Sequence, residues 1–299
     1  MLFDRSGTKT TYGALIDVAS GTIGIAIVAS DAVKKLPEII YENRIDMRVG
    51  KRAAAEIRRV REMLLSASLS FSEGFASLRA IDPRARVSSL SVTVAAPWSY
   101  TVTNAVEYKD DAPFKITPTM LRDLVDSAEA TILEGMRKDP DAAAENLEII
   151  ERVTTNVTVN DYPVPDPLKV EGTSLALSHV VGLVPRDILT SVHEIQDKLF
   201  QGTTLRVHTS MCTLFAVAEE LYPRLSSFCL VNVSGEATEF GIATEGTLTD
   251  SIFIPKGTNG FMKKVMEDTG RPLADVESAL RAFGAKDAAM ASDLEAHLS

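Results

Sequence analysis

The chain has 299 residues, 45% of them apolar and 24% charged, the balance of a globular protein with an ordinary core and room for two domains. Its 31 basic and 41 acidic side chains leave a net charge of −10, which argues against nucleic-acid binding, a function that needs a basic face. Two cysteines are too few for a disulfide scaffold, no apolar run approaches the roughly 20 residues that span a bilayer, and no signal peptide is evident. Cys212 and Cys229 both lie in apolar stretches and read as buried reduced thiols.

Residues 1–11 are polar and read as frayed. Residues 12–45 hold a hairpin and then Glu38-Ile39-Ile40-Tyr41, a third strand. Between 50 and 80, Ala54, Ile57, Val60, Leu64 and Leu65 recur at helical spacing, predicting one long amphipathic helix ended by Pro83. Arg58-Arg59-Val60-Arg61 reads as its solvated face. A β-rich run from Val87 to Ala95 stops at Pro97, with Trp98 placed either to pack or to anchor an interface. Thr117-Pro118 starts a helix to about Arg137, followed by a polar loop. A strand from Ile149 to Val159 ends in the turn Asn160-Asp161-Tyr162-Pro163. A strand from Leu175 to Val184, a helix from Pro185 to Phe200 and a helix from Thr209 to Leu221 follow. A hairpin over 229–248 and a strand from Ile252 to Pro255 come next, and only helical spacing remains beyond Gly260 (Leu273, Val276, Leu280, Phe283, Met290, Leu294). Strands interleaved with helices define an α/β protein.

One pattern occurs twice. Residues 14–28 and 229–243 are each an apolar run, then Asp17 or Asn232, a turn of small residues, and a Gly-Ile-Ala that opens a second apolar run. Asp17 to Gly24 spans seven positions and Asn232 to Gly241 nine, so the second loop is expected to be two residues longer. Each reads either as an ordinary tight hairpin or as a phosphate cradle. In a cradle, backbone N–H groups point at the anion, Ser20 and Thr22 add hydroxyls, and Asp17 holds magnesium through water.

One such hairpin in each half resembles the actin-like ATPases, the superfamily of the sugar kinases and heat-shock 70 chaperones. Ser210 to Ala218 resembles the helix before the second phosphate loop, and Ile254-Pro255-Lys256-Gly257-Thr258-Asn259 resembles the Ile-Pro-x-Gly-Gly-Asn stretch of the division protein FtsA and the pilus protein PilM. Val159 to Leu177 and a strand–helix–strand insertion are similar to the subdomain 1C region of that branch. The resemblance implies a two-lobed, ribonuclease-H-like fold with an SHS2-like insertion. The first lobe would take 12–85 and 171–208, the insertion 86–170, the inner second lobe 209–259, and a partial outer subdomain 260–299. It implies ATP and magnesium held by Asp17, Ser20, Gly21, Thr22, Ser234, Gly235, Glu236, Thr238, Gly257 and Asn259, with Asn232 at the usual second aspartate.

Departures from the pattern are Ala19 and Ser234 in place of glycines, Asn232 in place of aspartate, and Thr209-Ser210 where a water-orienting Gln or Glu is common. They imply at most slow hydrolysis, since such sites work by positioning water and metal. The resemblance further implies a cytoplasmic protein reaching the membrane through partners. The leading implication is a division-type, ATP-binding protein whose partner is the tubulin-like FtsZ and which self-assembles; the alternative is a non-enzymatic scaffold of a type IV pilus or secretion assembly, with inner-membrane pilus proteins as partners. No adenine loop or membrane-anchoring helix follows Gly270, so a fragment or a reduced second lobe is expected. His179, His193, His208 and His297 lack zinc spacing, and Cys212, on an apolar helix, does not read as a catalytic thiol.

Overall fold

The computed structural model describes residues 10–31, 36–46, 56–139 and 146–284. Ala54, Met290, Leu294, His297 and the expected frayed start lie outside them, except for residues 10 and 11. The described residues form three sheets. The first runs β3-β2-β1-β4-β9, from β1 (Thr11–Val18), β2 (Thr22–Ser30), β3 (Glu38–Asp46), β4 (Val87–Val94) and β9 (Thr204–Thr209). β1, β2 and β3 are antiparallel neighbours, and β4 and β9 add in parallel.

Helices α1 (Glu56–Leu69), α2 (Phe71–Ile81) and α4 (Arg186–Leu199) belong to the core of this sheet. Val60, Leu64 and Ala67 of α1 meet Ile188, Val192 and Ile195 of α4 over Ala14, Ile16, Val18, Ile23, Ile25 and Ile27. The expected single helix over 50–80 is thus two. The break falls at Ser70, in the run Ser68-Leu69-Ser70-Phe71-Ser72. There the Ser68 and Ser72 hydroxyls bond back to the Leu65 and Leu69 carbonyls, and Asn43 donates to Ser70. Serine hydroxyls that compete for backbone groups bend and break helices. Trp98 packs in the same core, after a cis Ala96-Pro97 bond.

The second sheet, β5-β8-β6-β7, comprises β5 (Tyr100–Lys115), β6 (Leu147–Val159), β7 (Tyr162–Pro163) and β8 (Glu171–Pro185), with α3 (Pro118–Lys138) on one face. Thr117 caps α3, accepting from the Met120 amide at 3.2 Å, as its Thr-Pro start requires. Asn160 and Asp161, both at positive φ, turn the chain from β6 into β7.

The third sheet, β10-β11-β12, holds β10 (Phe228–Val233), β11 (Thr238–Thr244) and β12 (Thr247–Ile254). Helix α5 (Ser210–Leu221) lies between it and β8, with Met211 and Phe215 against Val180, Leu230, Ala243 and Leu248. α6 (Thr258–Thr269) and α7 (Leu273–Gly284) close the described chain. The third sheet repeats the antiparallel order of β1, β2 and β3, but among the described residues β10 has no neighbour where β1 has β4. Its faces are also covered differently. Ile16 and Val18 are core, 2% and 0% exposed, whereas their counterparts Val231 and Val233 are each 56% exposed. Among the described helices none is long and apolar enough to cross a membrane.

Candidate functional site

Both predicted hairpins form, and their register corrects the expected inequality. Asp17 pairs with Gly24, and Asn232 pairs with Glu239. Each turn closes in the same way: the Ala19 amide bonds the Thr22 carbonyl at 3.0 Å, and the Ser234 amide bonds the Ala237 carbonyl at 2.9 Å. The second loop is therefore not longer, and the counterpart of Gly24 is Glu239 rather than Gly241. Gly241 instead makes room for a helix, since a Cβ there would stand 2.4 Å from the Met211 sulfur.

The two turns touch. A Cβ on Gly235 would lie 2.5 Å from the Gly21 Cα and 2.8 Å from its nitrogen, so backbone meets backbone. Ser20 and Ser234 hydroxyls are 2.6 Å apart. Ser234 donates its proton to the Ala237 carbonyl at 2.9 Å, so Ser20 donates to Ser234. Ser20 in turn accepts the Glu236 amide at 2.7 Å. A backbone N–H of the second turn is thus directed at an oxygen of the first, the geometry a phosphate oxygen would otherwise receive.

The start of α6 locks the second turn. Thr258 and Asn259 amides donate to the Ser234 and Gly235 carbonyls at 2.9 and 2.8 Å, and the Asn259 side chain donates to Glu236 at 2.7 Å. Gly257 fits only because it lacks a Cβ, which would sit 2.3 Å from the Ser234 carbonyl.

Of the predicted site residues, Ser20, Gly21, Ser234, Gly235, Glu236, Gly257 and Asn259 converge here. Others lie just outside the contact. Asp17 accepts from Thr93 at 2.9 Å, Asn232 donates to Glu239 at 2.8 Å, Thr238 donates to the Lys256 carbonyl at 2.8 Å, and Thr22 starts β2. Aligning the two copies on Gly-Ile-Ala hides Glu239. It is 5% exposed, and burial pushes its pKa up; bonds from Asn232 and the Ala96 amide oppose this, and Asp17 adds to it.

Thr209, expected near a water-orienting position, is spent on structure. Its hydroxyl caps α5 at Cys212 and accepts from Thr101 at 2.7 Å. Beside it, Glu151 accepts from His208 at 2.8 Å and raises the His208 pKa. Cys212 is partly buried, and burial with the neighbouring Glu151 pushes its pKa up to about 12, the opposite of a nucleophile's need. Cys229 is exposed, because alternation along β10 puts it on the bare face, which corrects the expectation of a buried thiol.

ATP with magnesium does not fit between the turns as they stand. Two backbones in van der Waals contact leave no width for a phosphate.

No family model matches the sequence, and no curated protein matches it. Among solved structures, one described as the PilM–PilN type IV pilus biogenesis complex is similar with TM-score 0.51 at 14% identity, over 96% of this chain and 75% of that one. A Bacteroides thetaiotaomicron protein described as having an actin-like ATPase fold and unknown function gives TM-score 0.41 at 10% identity, over 89% and 79%. The cytoplasmic domain of EpsL, an inner membrane component of the Vibrio cholerae type II secretion system, gives 0.37 at 10%, over 83% and 71%. The fold is the one shared with the PilM–PilN structure. At these identities the likeness extends to fold and no further.

Proposed function

We propose that the chain is a non-catalytic protein scaffold of the actin-like kind, serving a pilus- or secretion-type assembly at the inner face of a membrane. The observation that carries this reading is the closed contact of the two turns, in which Ser20, Ser234 and the Glu236 amide satisfy one another. The structural likeness to the PilM–PilN complex favours the pilus type over the division type, in which FtsZ would be the partner. The insertion expected over 86–170 does not coincide with a sheet, since β4 joins the first sheet and β8 the second; in this reading the β5-β8-β6-β7 sheet with α3 takes the place of the 1C-like insertion, available for self-assembly.

A nucleotide-bound form requires the turns to part. Calorimetric titration with ATP and magnesium tests this. The expected result is no saturable heat, and binding at micromolar ATP would overturn the closed-cleft reading. Pull-downs against inner-membrane pilus and secretion components, with FtsZ in parallel, separate the partner classes: retention of FtsZ alone reverses the preference.

A further inference from the structure

At the foot of the first sheet, α2, residues 82–87 and the end of α4 enclose a groove of about 200 Å³. It opens at the starts of β4 and β9, the end of the sheet away from the turns. Its floor is apolar, with Leu78 and Phe200 buried and Phe75 half-buried. Phe200 is held edge-on by Phe71 and Phe75 at ring distances of 4.9 and 5.5 Å, so the floor is rigid.

Arg79 and Arg86 line the groove, and both are exposed. Among the described residues no ion pair engages either guanidinium, although the chain carries ten more acidic than basic side chains. Asp82, the carboxylate on the connecting loop, accepts the Arg84 amide at 2.9 Å. Two such guanidinium groups beside an aromatic floor match a ligand with one large apolar side chain and flanking carboxylates. The apolar group lies against half-buried Phe75, which Phe200 backs from beneath, and the carboxylates meet the forks of Arg79 and Arg86.

We propose that this groove docks an acidic linear segment of a partner protein bearing one bulky apolar anchor. The inference rests on the scaffold reading, for which it names the docking place and the chemistry of the partner.

The probe is a fluorescein-labelled peptide Glu-Glu-Trp-Glu-Glu, followed by polarisation at low and high salt. Saturable binding is expected, weakening with salt and at least about tenfold in the double variant Arg79→Glu, Arg86→Glu. The same loss is expected when the peptide's Trp becomes Ala. Amide shifts in the wild-type protein should fall at Phe75, Leu78 and Phe200, and not at Ser20 or Ser234. Both arginines are exposed, so the double variant should melt with the wild type, and that is checked first. Absence of saturable binding, binding unmoved by charge reversal, or equal binding of Lys-Lys-Trp-Lys-Lys would overturn the proposal. Such a failure leaves the closed-cleft reading intact, since ATP titration probes the opposite end of the sheet.

Discussion

Replacing Gly235 by alanine tests the contact between the turns directly. The new methyl would stand 2.5 Å from the Gly21 Cα and 2.9 Å from the Asn259 side-chain nitrogen. Carbon atoms rest at about 3.5–4 Å, so one turn must retreat by roughly 1 Å or more. The nearest obstruction is backbone, which cannot swing aside as a long side chain can. Retreat breaks the Ser20–Ser234 bond and the Glu236-to-Ser20 bond, now 2.6 and 2.7 Å. Each bond is worth about 1 kcal/mol net. If the turns stay together, overpacking of about 1–3 kcal/mol replaces that loss. By either route the variant should lose about 2 kcal/mol, read as a lower urea midpoint at unchanged slope. Amide exchange at Gly21 and Glu236 should accelerate in parallel. A variant with the wild-type midpoint and wild-type exchange at those amides would refute the contact.

Gly135→Ala gives the opposite sign: it is exposed on α3 with nothing within 4 Å of a new Cβ, so stability should rise by about 0.5–1 kcal/mol in the same urea assay. Iodoacetamide at pH 8 should label Cys229 quickly and leave Cys212, its pKa pushed up to about 12, unlabelled in the folded protein; rapid double labelling by mass spectrometry would contradict the burial of Cys212. Burial raises the folded-state pKa of Glu239 above its unfolded value, so its ionisation opposes folding. That contribution to stability should therefore fall as pH rises from the ordinary glutamate value of about 4.3 through the raised one, and Glu239→Gln should flatten this part of the profile.

Much of the architecture is written in local pattern. Apolar runs around small-residue turns mark both hairpins, and Thr117-Pro118 marks the start of α3. Besides the two-residue β7, read as part of a turn, two longer strands escape such reading. β5 is an edge strand whose second half, Lys109-Asp110-Asp111, is polar and bulged, and β9 is a short run of alternating polar residues that leads straight into α5. The site is half legible. Its residue types are visible in each turn, but aligning the copies on Gly-Ile-Ala misplaces the second register by two. Counting outward from the turn pairs Asn232 with Glu239 and would reveal the buried carboxylate. The closure itself is invisible in sequence, because it depends on the distance between two segments whose serines stand 214 residues apart.

The uncovered side of β10, β11 and β12 bears on how the molecule comes apart. A sheet with helices over its apolar face and parallel strands on its inner edge exposes its amides only by near-global opening. A three-stranded sheet with Val231 and Val233 facing water, and with an edge at β10 among the described residues, loses less buried surface when it opens. Unfolding should therefore be spatially ordered, with amides of β10 exchanging before those of β1. Since Ser234 sits at the end of β10, the first strand to open carries away the partner of Ser20. The latch between the halves can be no more durable than the weaker sheet that bears it.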